Sequence, residues 1–211
     1  MIENKNTNTL KDLLERELVN EVVDRHTNTA PQPGIQLQQA TDFAESILWD
    51  LQRAFYTEQG IAAWRNGTVP HYVTSSSYMA ASYAKMVYAW AKDQISAGHK
   101  HVRVIELGAG SGQFTFHFLY HLTELWDGDH LAEQVLPLTY AMSDLSAANR
   151  EFWHTHPKLK RWFENGLLDS AHFDVETNDQ LLLEKANQVW EANDQKGPVL
   201  VIANYVLDSI R

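Results

Sequence analysis

The clearest pattern along the chain is an alternation between short apolar runs and longer stretches in which apolar residues recur at helical spacing. The run Val102–Leu107 is nearly continuous, and apolar residues then recur every three or four positions through Trp126. Later segments repeat this alternation, with strands predicted at 138–144, 169–175 and 198–205 and helices at 147–159 and 179–195. This order predicts an α/β fold whose strands are parallel and joined by right-handed crossovers.

Amphipathic patterns before the first strand predict an N-terminal helical extension. One helix is predicted from 9 to 26, a second from 41 to 58 and a third from 78 to 96. The second helix is expected to bury one apolar face, consisting of Ala44, Ile47, Leu48, Leu51 and Phe55. We expect residues 1–69 to form a helical cap that packs on the domain or closes over its site as a lid, and residues 70–211 to form the main domain.

The segment Glu106–Gly112 places a glycine-rich turn between the first strand and its helix. Glycines at 108, 110 and 112 allow a tight turn and leave its backbone free of Cβ atoms against a ligand. The third glycine comes one residue too early for a dinucleotide fingerprint, and a phosphate-binding GxxxxGK[ST] motif is absent. A carboxylate just before the turn repels phosphates, so the pattern favours a cationic ligand.

Polar residues at the ends of the other predicted strands supply further candidate ligands. Asp144 ends the second strand, where a carboxylate can accept hydrogen bonds from both hydroxyls of a ribose. Asp174, near the end of the third, is a candidate partner for an adenine amino group. The fourth strand ends at Asn204 and Tyr205, with Asp208 close behind, and these three are further candidates to contact a ligand.

Composition narrows the classes of partner. The chain has 211 residues and a formal net charge of −10, which argues against nucleic acid. It contains no cysteine, so disulfides, thiolate metal sites and cysteine nucleophiles are excluded. Neither a signal sequence nor an apolar run of membrane-spanning length is evident, and we expect a cytoplasmic protein without a membrane partner. The histidine pairs lack an HExxH arrangement, so no metal site is predicted.

Three further motifs support a family resemblance. The turn Glu106–Gly112 resembles motif I of class I S-adenosylmethionine-dependent methyltransferases. Its combination with Tyr72–Tyr83, Asp144–Arg150 and Ala203–Ser209 resembles the MidA-like methyltransferases, which include the mitochondrial complex I assembly factor that methylates arginine. The resemblance covers about residues 70 to 210. It implies a Rossmann-like class I methyltransferase sheet of which the first half, strands 1 to 4, is present.

The resemblance also implies roles for individual residues. Asp208, Asn204 and Tyr205 are the expected catalytic residues, although the family has Asn-Glu where this chain has Asn204-Tyr205. The expected S-adenosylmethionine contacts are Glu106, Gly108, Ala109, Gly110, Gly112, Asp144, Leu145, Asp174, Thr74 and Tyr83. Protein arginine is the implied acceptor. A small-molecule N- or O-methyltransferase and a non-catalytic methyltransferase-like assembly module are the alternatives.

The family's sheet has three further strands after the fourth. We therefore expect the chain to be a fragment truncated after strand 4, or else a minimal domain completed by a partner. In either case the strand at 198–205 would lie at an open sheet edge, where unpaired backbone groups are a template for another chain. We accordingly expect self-association through this edge, unless the N-terminal helices cover it.

Overall fold

The computed structural model describes residues 36–65, 67–129, 136–194 and 196–210. The chain divides into two compact units, Met1–Ala40 and Thr41–Arg211. In the first unit the described residues 36–40 form no helix or strand, and the helix predicted at 9–26 lies outside the described residues.

Helices and strands of the second unit alternate over most of its length. A short 3₁₀ helix, Phe43–Glu45, comes first. The α-helices are α1 (Ile47–Gln59), α2 (Ala62–Arg65), α3 (Ser77–Ser96), α4 (Gln113–Asp127), α5 (Ala147–Thr155) and α6 (Lys160–Asn165). The strands are β1 (Val102–Leu107), β2 (Leu138–Asp144), β3 (Leu168–His172), β4 (Gln180–Leu183), β5 (Gln188–Glu191) and β6 (Val199–Ala203).

The main sheet has four strands in the order β3-β2-β1-β6, and all neighbouring pairs are parallel. Glu106 near the end of β1 is level with Met142 of β2 and Ile202 of β6. The carboxyl ends of these strands therefore meet at one edge of the sheet, where ligands bind in open α/β folds. This confirms the predicted parallel α/β sheet, which is compatible with a Rossmann-like fold.

The two faces of the sheet are covered differently. On one face α3 and α4 pack on β1 and β2, through buried side chains that include Val104, Phe118 and Tyr140. On the other face the β4–β5 hairpin buries Leu181, Leu183 and Trp190 against small residues of β2 and β3. Among the described residues, no helix is both long and apolar enough to cross a membrane.

The helix predicted at 179–195 is wrong, because this segment forms an antiparallel hairpin of β4 and β5. Leu181 and Leu183 are 3% and 1% exposed while Leu182 is 49% exposed, which is the two-residue period of a strand. Asn187 adopts a left-handed φ of 50° in the connecting turn. Three consecutive leucines fit a helical stripe equally well, and only packing against the sheet separates the two patterns.

Other predicted boundaries shift for local reasons. The helix predicted at 41–58 begins at Ile47, since the Ser46 side chain caps it by accepting from the Leu48 N–H at 3.3 Å. None of its residues is buried, so the predicted buried face is wrong, and Leu48 is 52% exposed. The helix predicted at 147–159 ends at Thr155, just before Pro157, because the residue preceding a proline disfavours helical geometry.

Candidate functional site

A cavity of about 590 Å³ opens at the carboxyl ends of the parallel strands. Its wall combines the glycine turn after β1, the ends of β2 and β6, the loop after β3, and one side of α1. A cavity of this size can enclose a small molecule or cofactor. The site predicted at this edge of the sheet therefore coincides with a formed cavity.

The glycine turn forms the floor of the cavity in a backbone conformation that suits glycine. Gly108 and Gly110 have φ of 61° and 54°. A Cβ added to Gly108 would lie 2.6 Å from Cγ2 of Val206, and one added to Gly110 would lie 2.7 Å from Cζ2 of Trp64. Both backbone geometry and close neighbours therefore require glycine at these two positions.

Asp144, at the end of β2, joins the second strand to the glycine turn. Its side chain accepts hydrogen bonds from the Gly110 N–H at 3.0 Å and from the Ser146 N–H at 2.8 Å. Burial raises the pKa of Asp144, although these two N–H donors partly oppose that effect. Each carboxylate oxygen can accept a second bond, so the group can still receive ligand hydroxyls from the cavity that it lines.

Glu106 is the second buried carboxyl group at the cavity. Its Oε2 accepts from the Thr115 hydroxyl of α4 at 2.5 Å and from the Tyr140 hydroxyl of β2 at 2.7 Å. Burial raises its pKa to about 7 despite these two hydrogen bonds. A carboxyl group poised near neutral pH, in a cavity that also holds Asp144, will favour a positively charged ligand over an anion.

One side of α1 forms a wall of the cavity, through residues that were not among the predicted site residues. Trp49, Gln52, Arg53 and Tyr56 line the cavity, and their spacing of three or four residues places them on one helix face. This spacing is visible in the sequence, but the apolar residues of the helix predicted that a different face contacts the rest of the domain.

Arg53 connects this wall to the loop after β3. Its guanidinium donates to Asp174 Oδ2 at 2.7 Å and to Glu176 Oε2 at 2.6 Å. Asp174, the predicted adenine partner, lines the cavity, but Arg53 occupies one of its oxygens and the Glu176 N–H donates to the other at 3.0 Å. Two ion pairs therefore connect the loop to α1, a helix that has no buried residue.

Aromatic rings stand over the glycine turn. Tyr56 and Trp64 stack with their ring centroids 5.7 Å apart, and Trp64 covers Gly110. Burial raises the pKa of the Tyr56 hydroxyl, and the negative charges of Asp208 and Asp144 raise it further. The combination of aromatic faces with nearby carboxylates gives the cavity an environment that attracts cations.

The three residues predicted at the acceptor side all line the cavity. Asn204 Oδ1 accepts a hydrogen bond from the Tyr83 hydroxyl at 3.3 Å. Tyr205 is 69% exposed and has a left-handed φ of 53°, a strained conformation for a residue of this size. Asp208 lies in a turn closed by the Ser209 N–H and the Val206 carbonyl, so within the described chain it caps no helix.

Most of the predicted cofactor residues meet at this cavity, and two do not line it. Ala109, Leu145 and Thr74 are on the wall together with the residues described above. Gly112 precedes α4 with φ of 72° and packs beneath the turn, beside Trp153 and Met142. Tyr83 packs edge-on against Phe114 and reaches the site only through Asn204.

No protein-family model and no curated protein matches the chain. Among solved structures, it is similar to an uncharacterized superfamily protein from Burkholderia thailandensis, with 18% identity and a TM-score of 0.34. The match covers 83% of this chain and 43% of that chain, so this chain spans less than half the length of that protein.

Proposed function

We propose that this chain binds S-adenosylmethionine and forms part of a methyltransferase. The observation that carries the proposal is the position of two carboxyl groups, Glu106 near the end of β1 and Asp144 at the end of the adjacent strand β2, with the Gly110 N–H bonded to Asp144. Both carboxyl groups line a cavity that also has aromatic walls. This arrangement suits a ligand that combines a diol with positive charge.

The residues present fit that cofactor. Asp144 would hold the ribose hydroxyls, and Glu106 would face the charged amino-acid end of the cofactor. Ala109, Leu145 and Thr74 would supply further wall contacts, while Asp174 would approach the adenine only where Arg53 leaves its oxygens accessible. The cofactor supplies an activated methyl group, so the protein's contribution is to bind, orient and exclude water.

The acceptor side lies across the cavity at the end of β6. Asn204, held by the Tyr83 hydroxyl, would orient the acceptor through its side-chain amide. Asp208 would accept the proton that a nitrogen acceptor releases, and Tyr205 would contact the acceptor at the mouth. A cationic nitrogen fits this acidic surface, which supports protein arginine as the acceptor class.

A small molecule is the second candidate acceptor. Trp49, Trp64 and Tyr72 line the same cavity and offer flat apolar surfaces. Such surfaces suit a planar amine or phenol as well as a guanidinium. Incubation with labelled S-adenosylmethionine and either a proteome extract or a metabolite extract separates the two, because the label enters protein in one case and a small product in the other.

Titration calorimetry with S-adenosylhomocysteine tests the cofactor proposal. Asp144→Ala should weaken binding at least tenfold, because a hydrogen bond to a charged group contributes about 1.5–3 kcal/mol. Asp93→Ala is the matched control, since Asp93 is an exposed acid on α3 that does not line the cavity. Equal affinity in both variants, with both folded, would remove Asp144 from the binding site.

A further inference from the structure

Arg150 on α5 reaches back to the turn that follows β2. Its Nη1 donates to the carbonyl oxygen of Asp144 at 3.0 Å and to that of Leu145 at 3.2 Å. Its Nε donates to Glu184 Oε1 at 2.8 Å. A single guanidinium therefore connects the backbone at the candidate site to the turn between β4 and β5.

Glu184 is itself held from the sheet. Its Oε2 accepts a hydrogen bond from the Ser170 hydroxyl at 2.6 Å, and its N–H donates to the Ser170 carbonyl at 2.8 Å. His154 Nε2 lies 3.3 Å from the same Oε2. Ser170 is fully buried in β3, so the carboxylate that receives Arg150 is anchored to the parallel sheet.

This chain of contacts ends at the carboxylate that lines the cavity. The side chain of Asp144 receives the Gly110 and Ser146 N–H groups while Arg150 fixes its carbonyl. A rotation of this peptide would move the carboxylate away from the glycine turn. We propose that Arg150 and Glu184 are positioning residues, which hold Asp144 in the orientation that ligand binding requires.

Two features favour positioning over a general contribution to stability. The side chains of Arg150 and Glu184 are 15% and 32% exposed, so their ion pair is partly hydrated and contributes modestly to global stability. Their geometry is nevertheless specific, because the same planar guanidinium engages two carbonyls and one carboxylate. The expected consequence of losing them is therefore local, at Asp144 and its two N–H donors.

The test compares Arg150→Ala, Arg150→Lys and Glu184→Gln with the wild type. The control is Lys160→Ala, which removes an ion pair with Glu164 whose side chains are 69% and 63% exposed. Hydrogen exchange at the Gly110 and Ser146 amides is the first measurement, since both donate to Asp144. We expect about tenfold faster exchange in Arg150→Ala, a smaller change in Arg150→Lys, and none in the control.

Affinity for S-adenosylhomocysteine is the second measurement, and this part of the inference rests on the proposed function. It should fall about tenfold in Arg150→Ala and recover in part in Arg150→Lys, because lysine keeps the charge but lacks the planar guanidinium that spans the two carbonyls and Glu184. Unchanged exchange at Gly110 and Ser146 in a folded Arg150→Ala variant would overturn the inference. If the wild type binds no S-adenosylhomocysteine, the proposed function fails, whereas the exchange data still decide whether Arg150 positions Asp144.

Discussion

Replacing Glu106 by glutamine should change how the stability of the domain depends on pH. Glu106 is buried, and its pKa of about 7 lies above the ordinary value of 4.5. At 1.36 kcal/mol per unit, this difference corresponds to about 3 kcal/mol between the two protonation states. Glutamine has nearly the shape of the protonated side chain, so the variant keeps the packing and removes the titration.

The sign follows from the direction in which the pKa moves. Because folding raises the pKa, the folded state favours the protonated group, and its contribution to stability is fully present below pH 4.5. That contribution is lost as the pH rises from 4.5 to about 7. Relative to the wild type, Glu106→Gln should therefore gain up to about 3 kcal/mol between pH 4.5 and pH 8.

Urea unfolding followed by tryptophan fluorescence at several pH values measures this difference. Asp144 also has a raised pKa, but it is present in both proteins, so the comparison removes most of its effect. Parallel pH profiles for the wild type and Glu106→Gln would refute the reasoning. They would mean that folding does not raise the pKa of Glu106.

Three further substitutions test separate parts of the structure. Gly110→Ala should destabilise the domain by about 1–3 kcal/mol in urea unfolding, because Gly110 has a φ of 54° and an added Cβ would contact Trp64. A neutral effect would show that the turn can relax. Val201→Lys should reduce any self-association seen in sedimentation velocity, since Val201 is 54% exposed on the edge strand β6. Unchanged association would mean that the copies contact each other through a different surface. Asp208→Asn should lower the rate of methyl transfer by about 10²–10⁴-fold with little change in cofactor affinity. Turnover equal to that of the wild type would exclude Asp208 as the base.

The parallel sheet and the glycine turn could be predicted because each has a strong local signal. Four of the six residues of Val102–Leu107 are apolar, and glycine is the residue that accommodates the backbone angles of the turn. The placement of Asp144 beside Gly110 follows from parallel pairing of adjacent strands. These features depend on short-range pattern and on the topology rules of α/β proteins.

The hairpin, and the contacts that place α1 at the cavity, could not be predicted, since both depend on long-range packing. Leu181, Leu182 and Leu183 fit a helix until the sheet buries the first and third and leaves the second exposed. The cavity face of α1 is fixed by Arg53 pairing with a residue more than one hundred positions away, Asp174. Neither contact has a counterpart in local sequence.

A titration of ¹⁵N-labelled protein with S-adenosylhomocysteine, followed by NMR, tests the central claim most directly. We predict that the amide signals of Gly108, Gly110 and Ser146 shift together and fit one dissociation constant, because all three lie at the turns around Asp144. Signals near Gly166 should remain unchanged, because Gly166 lies just before the amino end of β3, at the edge of the sheet opposite the cavity. A spectrum that does not change up to millimolar ligand, or shifts confined to residues outside the cavity, would contradict the account.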